Sequence, residues 1–144
     1  MCQFFSALVL RNGDILWHEA TDSHSDLVAH FQMPDNPACK HFAKVEFTPP
    51  EVEGWPMFED WEKYNLRVDE DTRPDWFDEV ENGVVKKLQS VIRSMIVNDE
   101  RPLILGGARI LVSGAKINAI KSSRVISMSG TSRVGSMSDT SSVI

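Results

Sequence analysis

The last 23 residues, SSRVISMSGTSRVGSMSDTSSVI, contain nearly the same nine residues twice, followed by the start of a third copy. A pattern of a small, a usually basic and a β-branched residue recurs at 108–110, 115–117, 123–125, 132–134 and 141–143, with offsets of 7, 8, 9 and 9 residues. A unit this short holds one strand and one turn, so it cannot bury its apolar residue without stacking on copies of itself. The repeat therefore predicts a short β-solenoid.

Each full repeat carries two apolar anchors three positions apart, such as Val125 and Met128. Residues three apart in a straight strand point to opposite faces, so we expect a bend at Ser127 that turns both anchors inward. A disordered Ser-rich linker is the alternative, and the 10 Ser residues in 113–144 support it. The recurrence of β-branched residues in register favours the solenoid.

The repeat stops in an incomplete copy on Val143 and Ile144. The end of a solenoid leaves an unpaired strand and an uncovered apolar slice. We therefore expect self-association, as a homodimer or a stack, through the apolar positions of this end: Val134, Met137, Val143 and Ile144.

The basic residues of the repeat form a ladder if the copies are in register. The ladder consists of Arg109, Lys116, Arg124 and Arg133, with rungs about 4.8 Å apart, or twice that if two copies make one coil. Like charges this close repel, so the ladder needs an anionic ligand or full solvation. These four residues are candidates for anion binding, and the alternative is that they keep the solenoid soluble and protect its edges.

The strands of the preceding region are marked by alternation and turn residues. Two apolar runs flank Asn12 and Gly13, a dipeptide that favours a type I′ hairpin turn with a positive φ at both positions. Alternating apolar residues over 43–48 and in YNLRVDED predict two further strands. The segment 51–64 between them lacks periodicity and is expected to be a loop that wraps the body.

Two helices are expected in the same region. Ser23, three residues before Asp26, resembles a capping box for a short helix that Pro34 and Pro37 end. A 3.6-residue apolar period from Pro74 to about Val97 predicts a long amphipathic helix. The predicted fold class is α+β, with a small antiparallel sheet and one long and one short helix in residues 1–102, followed by the β-solenoid of residues 103–144.

Composition limits the class of protein. The 144 residues are 42% hydrophobic and 25% charged, the balance of a globular chain. No apolar run reaches the roughly 18–20 residues of a membrane span, and no basic region precedes the apolar N-terminal residues. Only Cys2 and Cys39 are present, so reduced thiols and a cytoplasmic location are expected.

The net charge of −6 conceals an asymmetry, since residues 1–102 hold 10 Lys/Arg against 20 Asp/Glu, whereas residues 103–144 hold 5 against 1. Residues 51–81 alone contain 12 acids, interleaved with aromatic side chains. Carboxylates with aromatic anchors can bind a basic protein surface, and the candidates for this role are Glu59, Asp60, Trp61, Glu62, Asp69 and Asp71. The alternatives are a solvated loop whose aromatics fold into the core, or divalent-metal hydrolysis through Asp69, Asp71, Asp75 and Asp78.

No motif for catalysis or cofactor binding is recognised. The four histidines lack metal-ligand spacing, and a zinc site or a thiol nucleophile built on Cys39 and His41 would need groups that the sequence does not place. No phosphate-binding or nucleophile-elbow motif occurs. We expect no enzyme activity, no catalytic residue, no resident metal and no cofactor.

The segments KVEFTPP and YNLRVDEDTRPDWFDE, together with the terminal Ser-Arg-Val repeats, resemble a group of short proteins from phages, prophages and gut bacteria. The resemblance covers most of the chain. It implies a mobile-element setting, in which proteins of this size frequently bind a host protein, and it assigns no catalytic residue.

The expected function is that of a non-enzymatic binding protein that inhibits a host or defence protein through its acidic face and dimerises through the solenoid. Two alternatives remain open: a self-assembling solenoid module, or a binder of a small anion such as a nucleotide at the basic ladder. Direct nucleic-acid binding is not expected, because the body carries a charge of −10 and phosphates repel it.

Overall fold

The computed structural model describes residues 5–18, 21–34, 41–69 and 73–97, and in the C-terminal part residues 103–106, 109–113, 116–121, 124–129, 133–134, 137–138 and 142–143. The chain divides into two compact units, Met1–Ser90 and Val91–Ile144. The boundary expected from the sequence, between residues 102 and 103, remains a prediction.

The first unit is built on a small antiparallel sheet. Its strands are β1 (Phe5–Leu10), β2 (Ile15–Leu16), β3 (Phe42–Thr48), β4 (Glu51–Val52), β5 (Trp55–Pro56) and β6 (Asn65–Val68). Four of them form one sheet in the order β2-β1-β3-β6, and β4 pairs with β5 alone. The helices in the described residues are α1 (His24–His30) and α2 (Phe77–Met95). The α+β class, with a small antiparallel sheet, one short helix and one long helix, is confirmed.

The predicted hairpin is present, but its turn differs from the type I′ turn expected. Gly13 has a φ of 83°, whereas Asn12 does not take a positive φ. The Gly13 N–H donates to the Leu10 carbonyl (2.9 Å) and the Leu10 N–H donates to the Asp14 carbonyl (2.8 Å), as in a three-residue loop that ends in a glycine bulge. The Asn12 side chain favours this form because its Oδ1 accepts from the Asp14 N–H at 3.0 Å.

Helix α1 begins and ends with local hydrogen bonds. The Ser23 side chain accepts from the Asp26 N–H, as the sequence predicts. At the other end Gln32 takes a φ of 52°, its N–H donates to the Ala29 carbonyl, and the Met33 N–H donates to the Val28 carbonyl. This is a Schellman arrangement, so α1 ends before the two prolines that were expected to end it.

The central strand β1 is buried on both faces, whereas β3 is buried mainly on the face of Ala43, Val45 and Phe47. On one face Leu8 packs with Leu27, Val28 and Phe42, which places α1 over this side. On the other face Phe5 pairs with Phe47, Ala7 with Val45 and Val9 with Ala43, and all six residues are buried. The core therefore lies on both sides of a single pair of strands.

Helix α2 contributes a buried stripe and two contacts with the β1–β2 turn. Phe77, Val84 and Leu88 are buried at helical spacing. The Lys87 ammonium donates to the Gly13 carbonyl at 2.7 Å, and a Cβ added at Gly13 would lie 3.5 Å from Val80. The turn therefore needs glycine for its positive φ, whereas the space beside Val80 would admit a Cβ at an ordinary van der Waals distance.

The second unit contains parallel strands in two sheets. They are β7 (Ile96–Val97), β8 (Leu103–Gly106), β9 (Arg109–Ser113), β10 (Lys116–Lys121), β11 (Arg124–Ser129), β12 (Arg133–Val134), β13 (Met137–Ser138) and β14 (Ser142–Val143). One sheet has the order β14-β11-β9-β7, and in the other β10 pairs with β8, β12 and β13. From β7 to β12, successive strands alternate between the two sheets.

The pairing offset corresponds to about two sequence repeats. Leu103 is in register with Ile117 and Arg124 with Ser142, offsets of 14 and 18 residues. Val125 is aligned with Ile110, and Met128 with Val112, so a step of three on β11 matches a step of two on β9. A one-residue bulge makes up the difference.

Candidate protein-interaction surface

Residues 50–62, here called the arm, leave the sheet after β3 and return before β6. The arm contains the β4–β5 hairpin and a 3₁₀ turn, Trp61–Lys63, at its end. Glu53 and Gly54 connect the two strands with φ angles of 52° and 82°. A two-residue connection with two positive φ angles is the type I′ turn that matches the twist of a hairpin. The segment was predicted to be a loop that wraps the body, but it contains two short strands and a 3₁₀ turn, and its tip is exposed.

The register of the arm places three exposed apolar residues on one face. Val52 pairs with Trp55. Met57 lies two residues after Trp55, where its N–H continues the ladder by donating to the Pro50 carbonyl. Paired residues and residues two apart share a face of a hairpin. These side chains are 55%, 76% and 39% exposed, respectively, and they are the large hydrophobic residues that the described part of the chain leaves exposed. An apolar face with tryptophan at its centre is typical of a protein-binding surface.

Prolines protect the outer edges of the arm from strand addition. The Met57 N–H donates inward to the Pro50 carbonyl at 2.8 Å, so the backbone nitrogens of residues 49, 51 and 56 face outward. Pro49 and Pro56 have no N–H to offer there. Of these three residues only Glu51 keeps an N–H, so an extended chain could add only weakly to either edge, and recognition by the arm should depend mainly on side chains.

The charge of the arm is entirely negative. Residues 51–62 contain five acids and no lysine or arginine: Glu51, Glu53, Glu59, Asp60 and Glu62. Asp60 forms an ion pair with Lys63 (3.2 Å), whose side chain is itself exposed. Glu51 and Glu53, exposed and adjacent in sequence to Val52, give the hairpin a negative potential, which attracts cationic surfaces and repels phosphates.

The base of the arm is fixed to the body. The Tyr64 hydroxyl donates to the Phe58 carbonyl at 2.8 Å, and the Tyr64 ring lies 5.2 Å from that of Phe47 in β3. The Gln89 side chain of α2 donates to the Glu62 carbonyl at 3.1 Å. Contacts from β3 and α2 thus hold the arm at its base, while the hairpin tip projects its apolar face.

Burial raises the pKa of the Tyr64 hydroxyl well above its ordinary value of 10.0, and the nearby Asp60 carboxylate raises it further. Both effects disfavour a phenolate at this position. Tyr64 therefore stays protonated and keeps its hydrogen bond to Phe58 across the physiological pH range.

The predicted partner-binding residues are distributed over two places. Glu59 and Glu62 are exposed, and Asp60 and Trp61 are half-buried, all on the arm. Asp69 follows β6, is exposed, and donates its backbone N–H to the Lys44 carbonyl at 3.1 Å. Asp71 lies outside the described residues.

Val52, Trp55 and Met57 were not among the binding residues predicted from the sequence, although Trp55 is one of the aromatic residues interleaved with the acids of 51–81. The signal was present in EVEGWP, where a glycine follows one apolar residue and precedes another at the spacing of a two-residue turn. The high aromatic content of this segment suggested a core contribution instead. Exposure of Trp55 is a property of the folded chain.

The basic residues of the repeat form two register pairs rather than one ladder of four. Arg124 is aligned with Arg109 in one sheet, and Lys116 with Arg133 in the other. Of the residues expected to self-associate, Val134 pairs with Ile117, Met137 with Ile120 and Val143 with Val125, whereas Ile144 lies outside the described residues.

Within the ranges that the structure describes, no three His, Cys, Asp or Glu side chains are grouped as metal ligands. None of the helices in those ranges is long and apolar enough to cross a membrane.

No protein-family model, curated protein or solved structure matches this chain.

Proposed function

We propose that the chain is a non-enzymatic binding protein whose arm docks on a basic surface of another protein. The observation that carries the proposal is Trp55, which is 76% exposed at the tip of a hairpin whose base is fixed to the body. An exposed tryptophan costs solvation in the free protein, and burying it against a partner recovers that free energy. The exposed carboxylates of Glu51 and Glu53 on the same hairpin favour a cationic partner.

The setting of this proposal is a phage or mobile element in the cytoplasm of a bacterial host, and the partner is a host or defence protein that the arm inhibits. The resemblance of KVEFTPP and YNLRVDEDTRPDWFDE to such proteins supports this setting. Negative charge around an aromatic anchor supports a protein partner over a nucleic acid.

We further propose that the second unit is a short β-solenoid with two repeats in each coil. Parallel pairing, alternation between two sheets and offsets of 14–18 residues support it. The bulge that aligns Val125 and Met128 with Ile110 and Val112 supports two inward-facing anchors for each repeat.

In this proposal the last coil is the site of homodimerisation. Its strands β12, β13 and β14 are two residues long and occupy the ends of their sheets. Such edges pair with another copy unless they are protected. Stacking of many copies through both solenoid ends would give a filament, and this alternative predicts a mass that grows with concentration.

A second candidate function is anion binding at the basic register pairs. Neighbouring strands lie about 4.8 Å apart, so the pairing of Arg109 with Arg124 brings two arginine positions together. A nucleotide or another small polyanion would suit this spacing. Thermal stabilisation of the intact protein by nucleotides, lost in Arg124→Gln, would support it.

The proposed function is tested by affinity capture from host lysate with the intact protein as bait, washed at 50 and 500 mM salt. We expect a basic protein that is retained at low salt and released at high salt. Trp55→Ser and the double substitution Glu51→Gln/Glu53→Gln should each abolish its capture.

The matched control is Asp75→Asn/Glu79→Gln, which removes the same charge at two exposed positions around the start of α2. It should leave capture nearly unchanged. Equal losses in the two double variants would mean that only net charge matters, and unchanged capture by Trp55→Ser would exclude the arm.

A further inference from the structure

The second unit of the chain itself carries the chemistry that the arm would recognise. Residues 103–144 contain five lysines and arginines and a single acid, Asp139, whereas residues 51–62 contain five acids and no base. Both segments are therefore strongly charged and opposite in sign. A second copy of the chain offers this complementary surface at the same concentration as the arm.

The basic positions are held together by strand pairing. Arg109 and Arg124 are aligned across β9 and β11, and Lys116 and Arg133 are aligned across β10 and β12. Like charges at neighbouring register positions repel, so a carboxylate-rich partner stabilises them. The arm presents Glu51 and Glu53 two residues apart on an exposed hairpin.

We propose that the arm of one copy binds the basic strands of the second unit in another copy, in a head-to-tail contact that depends on salt. Pro49, next to the arm, and Pro56 remove two of the three outward N–H positions at its edges and leave only that of Glu51, so this contact is made mainly by side chains rather than by strand addition. Head-to-tail contacts are heterologous, so they form a closed ring or an open chain of copies.

The contact also regulates the arm. This part rests on the proposed function, because a basic partner and the basic strands of a second copy would compete for the same carboxylates. At high protein concentration, self-association then blocks the arm from binding a basic partner. Conversely, an excess of the basic partner dissociates the self-associated form.

The test is sedimentation velocity of the intact protein from 1 to 200 μM at 50 and 500 mM NaCl. We expect a larger weight-average mass at 50 mM than at 500 mM NaCl, because the head-to-tail contact is lost at high salt. The arm-reversed variant, Glu51→Lys/Glu53→Lys, and the strand-reversed variant, Arg109→Glu/Arg124→Glu, should each weaken it by more than about tenfold. Mixing the two variants should restore association, because the reversed arm meets the reversed strands.

Asp75→Lys/Glu79→Lys is the control, because it makes the same change of net charge outside the arm. It should keep the salt-dependent association that the arm-reversed variant loses. Circular dichroism checks that each variant folds. If the strand-reversed variant does not, Arg109→Gln/Arg124→Gln replaces it in the test of weakened association, and the mixing test is then omitted. A monomer at all concentrations at 50 mM salt, or a mixture that does not associate, would overturn the proposal.

Self-association that is equal at 50 and 500 mM salt and unchanged in both reversed variants would belong to the solenoid ends alone, and it would overturn the head-to-tail contact. These outcomes leave capture of a basic partner by the arm untouched, so failure of the self-contact is distinguishable from failure of the proposed function.

Discussion

At the scale of single residues, two exposed side chains hold a left-handed backbone. Gln32 and Glu53 both have a φ of 52°, a region that disfavours residues with a Cβ. Gln32 closes the Schellman end of α1, and Glu53 forms the turn of the arm. The first position is structural, and the second lies in the candidate binding surface, where strain is more often retained.

We predict that Gln32→Gly stabilises the protein by about 1 kcal/mol, because glycine adopts this φ without steric cost. Urea denaturation measures the change. Gln32→Ala keeps the Cβ and should leave the stability nearly unchanged, so equal effects of the two substitutions would contradict the argument.

Asp14 links the β1–β2 turn to α2. The hydrogen bond from Lys87 (3.3 Å), together with one from Asn12, holds the pKa of Asp14 below its ordinary value of 3.8. A lowered pKa in the folded state contributes stability above the unfolded pKa, and this contribution is lost as the pH falls through the folded pKa.

We therefore predict that Lys87→Met raises the pKa of Asp14, measured by carboxyl ¹³C NMR. The stability difference between Lys87→Met and the wild type should be largest at neutral pH and should shrink below about pH 4. Part of it should persist in acid, because Lys87 also donates to the Gly13 carbonyl. The neighbouring exposed Lys86, changed to Met, should leave the Asp14 titration unaltered.

At the scale of elements, the arm combines a fixed base with an exposed tip. Tyr64 stabilises the base of the arm through a hydrogen bond from its hydroxyl to the Phe58 carbonyl and through the contact of its ring with that of Phe47. The tip contributes nothing to the core in return, since Val52 and Trp55 are exposed. Stability and binding therefore depend on different residues of one segment.

We predict that Tyr64→Phe costs about 1 kcal/mol, because the ring remains but the Phe58 carbonyl loses its donor. Amide hydrogen exchange in residues 51–62 should increase more than exchange in β1 and β3. Trp55→Ser should change neither quantity appreciably, and a large loss of stability in Trp55→Ser would show that the arm tip is structural.

At the scale of the whole molecule, α2 belongs to both compact units. Leu88 lies in the first unit and Ile92 in the second, and both are fully buried. The helix is continuous between them, from Phe77 to Met95. A break in α2 should therefore lower the stability of both units.

We predict that Ser90→Pro, at an exposed position of α2, costs about 3 kcal/mol or more, because proline removes a helical hydrogen bond and clashes with the preceding turn. Hydrogen exchange should rise both in β1–β3 and in β9–β11, and Ser90→Ala should be nearly neutral. Faster exchange in one unit alone would show that the two units unfold independently.

The sequence by itself determined both helices and the four strands of the main sheet in the first unit, because their signals are local, but it did not reveal the β4–β5 hairpin. Alternation over 43–48, the Ser23 cap and the 3.6-residue period after Pro74 depend only on neighbouring residues. The structure contains the element that each of them predicts: β3, α1 and α2. The Asn12-Gly13 hairpin was predicted for the same reason, and only its turn type differed, because the Asn12 side chain bonds to Asp14.

Only the tertiary structure decided which aromatic residues of the acidic segment are buried. Trp55 and Tyr64 stand nine residues apart among similar acidic neighbours, yet one is 76% exposed and the other 6%. Tyr64 is buried because it meets Phe47, while its neighbour Glu62 meets Gln89, and both partners are distant in sequence. Trp55 projects from a hairpin that such contacts hold only at its base, and no local pattern carries that distinction.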